Sequence, residues 1–242
     1  MIPNVVSAGT SRRAPSRRGR SLWQERLLPA GRCAAVVISQ TMTLQLGKRQ
    51  WGRMERRTVK SLKRIAIDMD EVIADFSEKH LRLYNDQFGE SLTAEDLRGH
   101  RLWTLRPQVA DDILSMLDHP LFFRDLSVMP DSQEVIAELA RDYEIFIATA
   151  AMERPTSFAA KYEWLKEHFP FLPDKNFVFC GDKSIIYADY LIDDSVRHFK
   201  RFVGQGILFT ASHNIYEEGY VRVKDWQDVR RYFRETARGE EP

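Results

Sequence analysis

Two rhythms of apolar residues alternate along the chain, and together they predict an α/β fold. Ile65-Ala66-Ile67 is a short unbroken apolar run, as a strand covered on both faces of a parallel sheet carries. Glu144 to Thr149, Asn176 to Cys180, Tyr190 to Ile192 and Gly206 to Phe209 repeat that pattern. Between the runs, helical spacing predicts a helix from Ser77 to Phe88 closed by Gly89, and a second from about Pro107 to Asp118. Thr93 to Asp96 has the form of a capping box, predicting a short helix stopped at Gly99. Helices are also expected from a cap at Asp131/Ser132 to Arg141, over Pro155 to His168, over Ser195 to Phe202 and over Lys224 to Arg234. Strands alternating with helices imply βαβ units, hence a parallel sheet with helices on its faces. The helices of residues 77–125 fall between the first strand and the next helix–strand pair, so they form an insert.

Charge divides the chain. The first 60 residues hold thirteen Arg and Lys against two Glu, whereas the remainder carries a net charge of −10. An acidic body argues against nucleic-acid binding by the core. The basic stretch lacks apolar periodicity and reads as a disordered leader; a transit peptide, a nucleic-acid-binding arm or sequence upstream of a start at Met54 are its other readings. The expected organisation is a leader over 1–60, a core over 61–76 and 126–242, and the insert over 77–125. Only Cys33 and Cys180 occur, so no disulfide framework is expected and a reducing, cytoplasmic setting is favoured. No apolar run reaches the length of a membrane span. The six histidines form no zinc-binding pattern, and Gly204-Gln-Gly206 lacks the third glycine of a dinucleotide loop.

The chemistry gathers at the strand ends. The first strand runs into Asp68-x-Asp70, two carboxylates that extended backbone places on one side. The second ends in Thr149, Lys183 follows the third, and Asp193-Asp194 close the fourth. In an open parallel sheet these ends share one edge, where ligands bind. Clustered carboxylates require a cation, and oxygen-only ligands suit Mg²⁺; a hydroxyl and an ammonium suit phosphate oxygens. Taken together, the residues point to phosphoryl transfer. Singly, each has a plain structural reading: Asp-rich turn, β-branched strand residue, surface charge, helix cap.

The ordered set Asp68-Met-Asp-Glu-Val72, Thr149, Lys183 and Asp193-Asp194 resembles the four motifs of the haloacid-dehalogenase-like phosphohydrolases. With Ala74-Asp-Phe76, Lys161-Tyr-x-Trp164 and Ile207-Leu-Phe-Thr-x-x-His-Asn214, the chain looks like the 5′(3′)-deoxyribonucleotidases over about residues 62–234. The resemblance implies a Rossmann-like core, a small helical cap and hydrolysis of deoxynucleoside monophosphates through an aspartyl-phosphate. It makes Asp68 the nucleophile and Asp70 the acid and base. Mg²⁺ would be held by Asp68, the Asp70 backbone carbonyl and Asp194, with Asp193 nearby. Thr149 and Lys183 would bind phosphate, while Phe76 and Trp103 would face the base or, as ordinary aromatics, pack the core. Three positions depart from the animal enzymes: Glu71 replaces a glycine, Ala150 a common serine and Gly181 an arginine. Arg154, on the following loop, is the candidate replacement cation. The expected partner is a small nucleotide, with no membrane and a homodimer as the candidate assembly. The alternatives are a related phosphatase for another small phosphomonoester, a non-catalytic nucleotide binder and a phospho-receiver. A receiver would carry its acidic pair first, and here that pair comes last.

Overall fold

The computed structural model describes residues 61–239, so the leader expected over 1–60 lies outside the described residues. Strand β1 (Arg64–Ile67) is followed by a tight turn, a short β2 (Ala74–Asp75) and helix α1 (Phe76–Phe88). Next come α2 (Leu102–Leu105), α3 (Ala110–Met116), β3 (Ser127–Val128) and α4 (Ser132–Leu139). The chain continues through β4 (Glu144–Thr149), α5 (Phe158–His168), β5 (Phe177–Phe179), β6 (Tyr190–Asp193), β7 (Gln205–Phe209), β8 (Val221–Val223) and α6 (Trp226–Arg238). Six strands form one parallel sheet in the order β5-β4-β1-β6-β7-β8, and β2 pairs antiparallel with β3. This is the Rossmann-like α/β architecture that the alternating pattern predicts.

The sheet is dry because its strands are apolar on both faces: Ile65, Ala66, Ile67, Ile147, Leu191, Ile192, Ile207 and Leu208 are fully buried. Two indoles stitch the helices to the insert's roots. Trp226 on α6 donates from Nε1 to the Val72 carbonyl (2.8 Å), and Trp164 on α5 donates to the Leu126 carbonyl (2.8 Å). Leu81, Tyr84, Leu97, Leu102 and Ile113 form a separate apolar cluster within the helices between β2 and β3. His80 spans this region, its Nε2–H donating to the Ile113 carbonyl (3.1 Å).

Several elements differ from the sequence expectation. Thr93–Gly99 is a run of turns rather than a helix: Asp96 accepts the Thr93 amide (2.7 Å) as in a capping box, but the backbone bonds that follow span only three residues and the Gly99 amide turns away to the Ser212 carbonyl (2.8 Å). Ser195–Phe202 contains only a 3-10 turn, Val196–His198; Phe199 lies where a Cβ on Gly206 of β7 would stand, and this packing holds the segment compact. Both proline-led helices begin as 3-10 turns, Pro107–Val109 and Pro155–Ser157. Asp131 precedes α4 in the left-handed region and makes no side-chain cap. Gly89 does close α1, at φ +65°, with its amide on the Asn85 carbonyl (2.9 Å). Strands β2 and β3 are two residues each, edge strand β8 alternates around Arg222 rather than running apolar, and α2 is a single turn, so the apolar pattern does not mark them.

Glu71, in the turn after Asp70, adopts φ +67°, a conformation that costs a residue with a Cβ about 1 kcal/mol or more. A glycine there is free of that cost, which gives a backbone reason for the glycine of the animal enzymes. Glu71→Gly is expected to raise the denaturant midpoint by the equivalent of about 1 kcal/mol; an unchanged or lower midpoint would contradict the strain. A second expectation concerns acid. Burial pulls the His80 imidazole down to about 4, whereas unfolded histidine titrates near ~6.5. Between those values the unfolded chain binds the extra proton, so stability falls as pH drops through the window. His80→Gln keeps a donor without titrating. The gap in melting temperature between wild type and variant should narrow from pH 7 to pH 4.5, and a gap independent of pH would refute this origin.

Candidate active site

Strand β1 runs straight into Asp68, whose amide donates to the Ile192 carbonyl of β6 (2.9 Å). Beyond Asp70 the chain reverses within a few residues: the Ile73 and Ala74 amides donate to the Met69 carbonyl, and the Glu71 amide to that of Ala74. Thr149 ends β4 on one side of β1, and Asp193 ends β6 on the other. The sheet order therefore gathers Asp68, Thr149, Asp193 and Asp194 at the carboxyl edge of its central strands.

Two buried lysines partition the charge. Lys183, fully buried, lies 2.6 Å from Asp68 Oδ1 and 2.5 Å from Asp193 Oδ2. Lys161, from α5, pairs with Asp70 and donates to Thr149 Oγ1 (3.0 Å). Burial pushes Asp68 up, but the charges of Lys183 and Lys161 outweigh it and hold the carboxyl below its ordinary range. Asp70 moves the opposite way, raised by burial and the neighbouring Asp68 charge against the pull of Lys161. Asp194 is raised by burial and by the charges of Asp193 and Asp68. The adjacent carboxylates of Asp68 and Asp70 thus titrate apart.

A cavity of about 320 Å³ opens over this edge. Asp68, Asp70, Glu71 and Asp194 line it from the core, as do Phe76, Arg154 and Lys161; Arg101, Trp103 and Leu117 line it from the helical region. Thr149, Lys183 and Asp193 are fully buried and do not line it. Phe76 stacks on Phe123 with centroids 6.1 Å apart, and Trp103 packs against both apolar clusters. Arg154 pairs with Asp118 (2.6 Å) at the rim. Glu71 is buried, accepts the Ser77 hydroxyl and is pushed up to about 7 by burial.

The donor set fits a hard divalent cation. Asp68, Asp193 and Asp194 each offer a carboxylate oxygen within 4.8 Å of the others, all oxygen and all buried. The carboxylate of Asp70 is outside that group, and its Oδ1 is buried without a partner. Asn214 fixes the loop at Asp194, donating from Nδ2 to the Asp194 and Phe209 carbonyls (2.7 and 2.8 Å), while Arg222 donates to its Oδ1 (3.0 Å).

Three residues at the site had no role in the sequence reading. Lys161 stands in a quoted motif, and its signal is its position on the helix that follows Thr149. Arg101 has no such signal: its Nη2 lies 3.2 Å from Asp194 Oδ2 and 2.9 Å from His213 Nε2, across more than ninety residues of sequence. His213 belongs to the motif ending at Asn214, and burial lowers its imidazole to about 4, leaving it neutral.

Known proteins resemble this chain in sequence and in fold. A Staphylococcus epidermidis protein, provisionally named a 5′(3′)-deoxyribonucleotidase, is 50% identical over 170 residues, covering 70% of this chain and 95% of that protein. The 5′(3′)-deoxyribonucleotidase of Bacillus subtilis is 40% identical over 172 residues, covering 69% of this chain and 96% of that one. Among solved structures, a haloacid-dehalogenase-like protein of unknown function from Agrobacterium tumefaciens aligns with a TM-score of 0.52 at 16% identity, covering 73% of this chain and all of that one, a likeness of fold. The family model for 5′ nucleotidase, deoxy (pyrimidine), cytosolic type C protein matches residues 61–238, and the chain belongs to that family.

Proposed function

We propose that this phosphomonoester hydrolase releases phosphate from deoxynucleoside monophosphates, pyrimidine ones first, by way of an aspartyl-phosphate on Asp68. The observation that carries the reading is the oxygen-only cluster of Asp68, Asp193 and Asp194, of which Asp68 and Asp194 line the cavity with Lys161 while buried Lys183 pairs with Asp68 and Asp193. Asp68, kept ionised by its lysines, attacks phosphorus; the Oδ–P bond forms and the ester P–O bond breaks. Asp70 gives its proton to the departing sugar oxygen, then takes one from the water that cleaves the Asp68–P bond. Carboxyls whose environments drive their proton affinities apart suit these two roles. Mg²⁺, held by Asp68, Asp194 and the Asp70 carbonyl with Asp193 beside them, would offset the phosphate charge. Lys183 acts on Asp68 as fixed positive charge, and Lys161, which lines the cavity and is held by the buried Thr149 hydroxyl, would meet phosphate oxygens. Arg154 adds positive charge at the rim.

The helical segment of residues 77–125 serves as a cap over the edge where the chemistry occurs. Phe76 and Trp103 give the cavity an aromatic wall that suits a planar base, with stacking worth about 1–3 kcal/mol. Glu71 and Ala150 alter the contacts around phosphate and sugar relative to the animal enzymes, so the substrate is where this chain is expected to differ. No helix among the described residues is long and apolar enough to cross a membrane. A cytoplasmic enzyme acting on free nucleotides, as a monomer or homodimer, is the setting we propose.

Phosphate release measured across nucleoside monophosphates and sugar phosphates tests the substrate. Pyrimidine deoxynucleotides should be turned over fastest; preference for a sugar phosphate would make the chain a phosphatase of another small ester. Asp68→Asn should abolish turnover without lowering the melting temperature, and Asp70→Asn should cost about 10²–10⁴-fold. Substantial activity in the Asp68 variant would remove the nucleophile assignment. Chelation by EDTA should silence the enzyme and added Mg²⁺ restore it; activity that survives full chelation would exclude the cation from catalysis.

A further inference from the structure

Of the four acidic side chains at the sheet edge, Asp68 and Asp193 share Lys183, and Asp70 has Lys161. Both lysines belong to the core. Asp194 is buried beside Asp193 and Asp68, and its cationic partner comes from elsewhere: Arg101, one residue before α2, on the segment proposed as the cap. Arg101 is gripped on two further sides. Its guanidinium lies 5.5 Å from the Trp103 ring centroid, and its Nη2 reaches His213 Nε2, which accepts as a neutral imidazole. Two residues upstream, the Gly99 amide donates to the Ser212 carbonyl (2.8 Å), next to His213. The segment carrying Arg101 is therefore pinned to the loop after β7, with the guanidinium on one of the three oxygens that would take a cation.

Two positive charges cannot share that oxygen at low cost. At about 4 Å a unit pair interacts by ~4 kcal/mol at an effective dielectric of 20. We propose that Arg101 is a positioning residue that competes with the divalent cation for Asp194, holding the cap segment against the core until the cation takes the carboxylate and frees the guanidinium for the phosphoester. Cation affinity is then set in part by a residue outside the core, and cation binding is linked to the cap. The proposal rests on reading Asp68, Asp193 and Asp194 as the cation site.

Calorimetric titration of the full chain, freed of metal, with Mg²⁺ in the absence of substrate tests it. Arg101→Gln should bind Mg²⁺ about tenfold more tightly than wild type, the equivalent of ~1.4 kcal/mol. Arg101→Lys, which keeps the charge, should fall closer to wild type. In Mg²⁺, inorganic phosphate should bind Arg101→Gln several-fold more weakly. Arg197 lines the same cavity but pairs with Glu153 (2.6 Å), so Arg197→Gln should stay within about twofold for Mg²⁺ because its field is screened. Circular dichroism melts establish that each variant is folded. Unchanged or weaker Mg²⁺ binding by Arg101→Gln would overturn the proposal, as would equal tightening by Arg197→Gln. Wild type that binds no Mg²⁺ yet releases phosphate would instead overturn the cation site itself, and the proposal with it.

Discussion

Everything at this sheet edge depends on keeping three buried carboxylates, Asp68, Asp193 and Asp194, together with the half-buried Asp70 beside them. Like charges at about 4 Å repel by roughly 4 kcal/mol even at an effective dielectric of 20, and burial raises the cost of each. The fold answers with Lys183, fully buried between Asp68 and Asp193, and Lys161 at Asp70. Removing either ammonium would leave buried negative charge without a partner. The positions of both lysines follow from topology. Because β1 lies between β4 and β6, α5 passes beside the edge after β4, and the loop after β5 delivers Lys183 before the chain returns as β6.

How far the site could be read from sequence follows from the same distinction between core and surroundings. The strands were legible because burial on both faces demands unbroken apolar runs, and Asp68, Thr149 and Asp193-Asp194 were legible because they terminate those runs. Topology then brings these residues together without further information. Arg101 and His213 were not legible: their meeting at Asp194 depends on how the helical segment folds back, and no periodicity records that. The failures of element prediction have a common cause as well. In Thr93–Gly99 the Gly99 amide bonds the distant Ser212 carbonyl, and in Ser195–Phe202 the Phe199 ring packs against Gly206 of β7. Neither contact is visible in an apolar pattern.

Glu71 illustrates a reading that was right as an observation and incomplete as an explanation. As a sequence letter it stands where the resemblance to the animal enzymes implies a glycine. In the structure it is two separate facts: a left-handed backbone that glycine satisfies freely, and a buried carboxyl that lines the cavity beside Asp70. The backbone belongs to the sharp turn that separates Asp70 from β2, and any residue there must adopt it. The carboxyl adds a buried acid beside Asp70.

The attachment of the helical segment argues for a division of labour. Its entry and exit are braced by Trp226 on the Val72 carbonyl and Trp164 on the Leu126 carbonyl, and its ends are joined by the β2–β3 pair. Those contacts are buried and uncharged, so they are indifferent to what occupies the cavity. At the far end the ties are of another kind: Arg101 meets Asp194 and His213 across the cavity wall. The two indole bonds at the root are neutral, whereas the Arg101 contact is an ion pair on a carboxylate of the acidic cluster. Beyond its base the segment is tied to the core by two kinds of contact at once, the Arg101–Asp194 ion pair and the uncharged bond from the Gly99 amide to the Ser212 carbonyl.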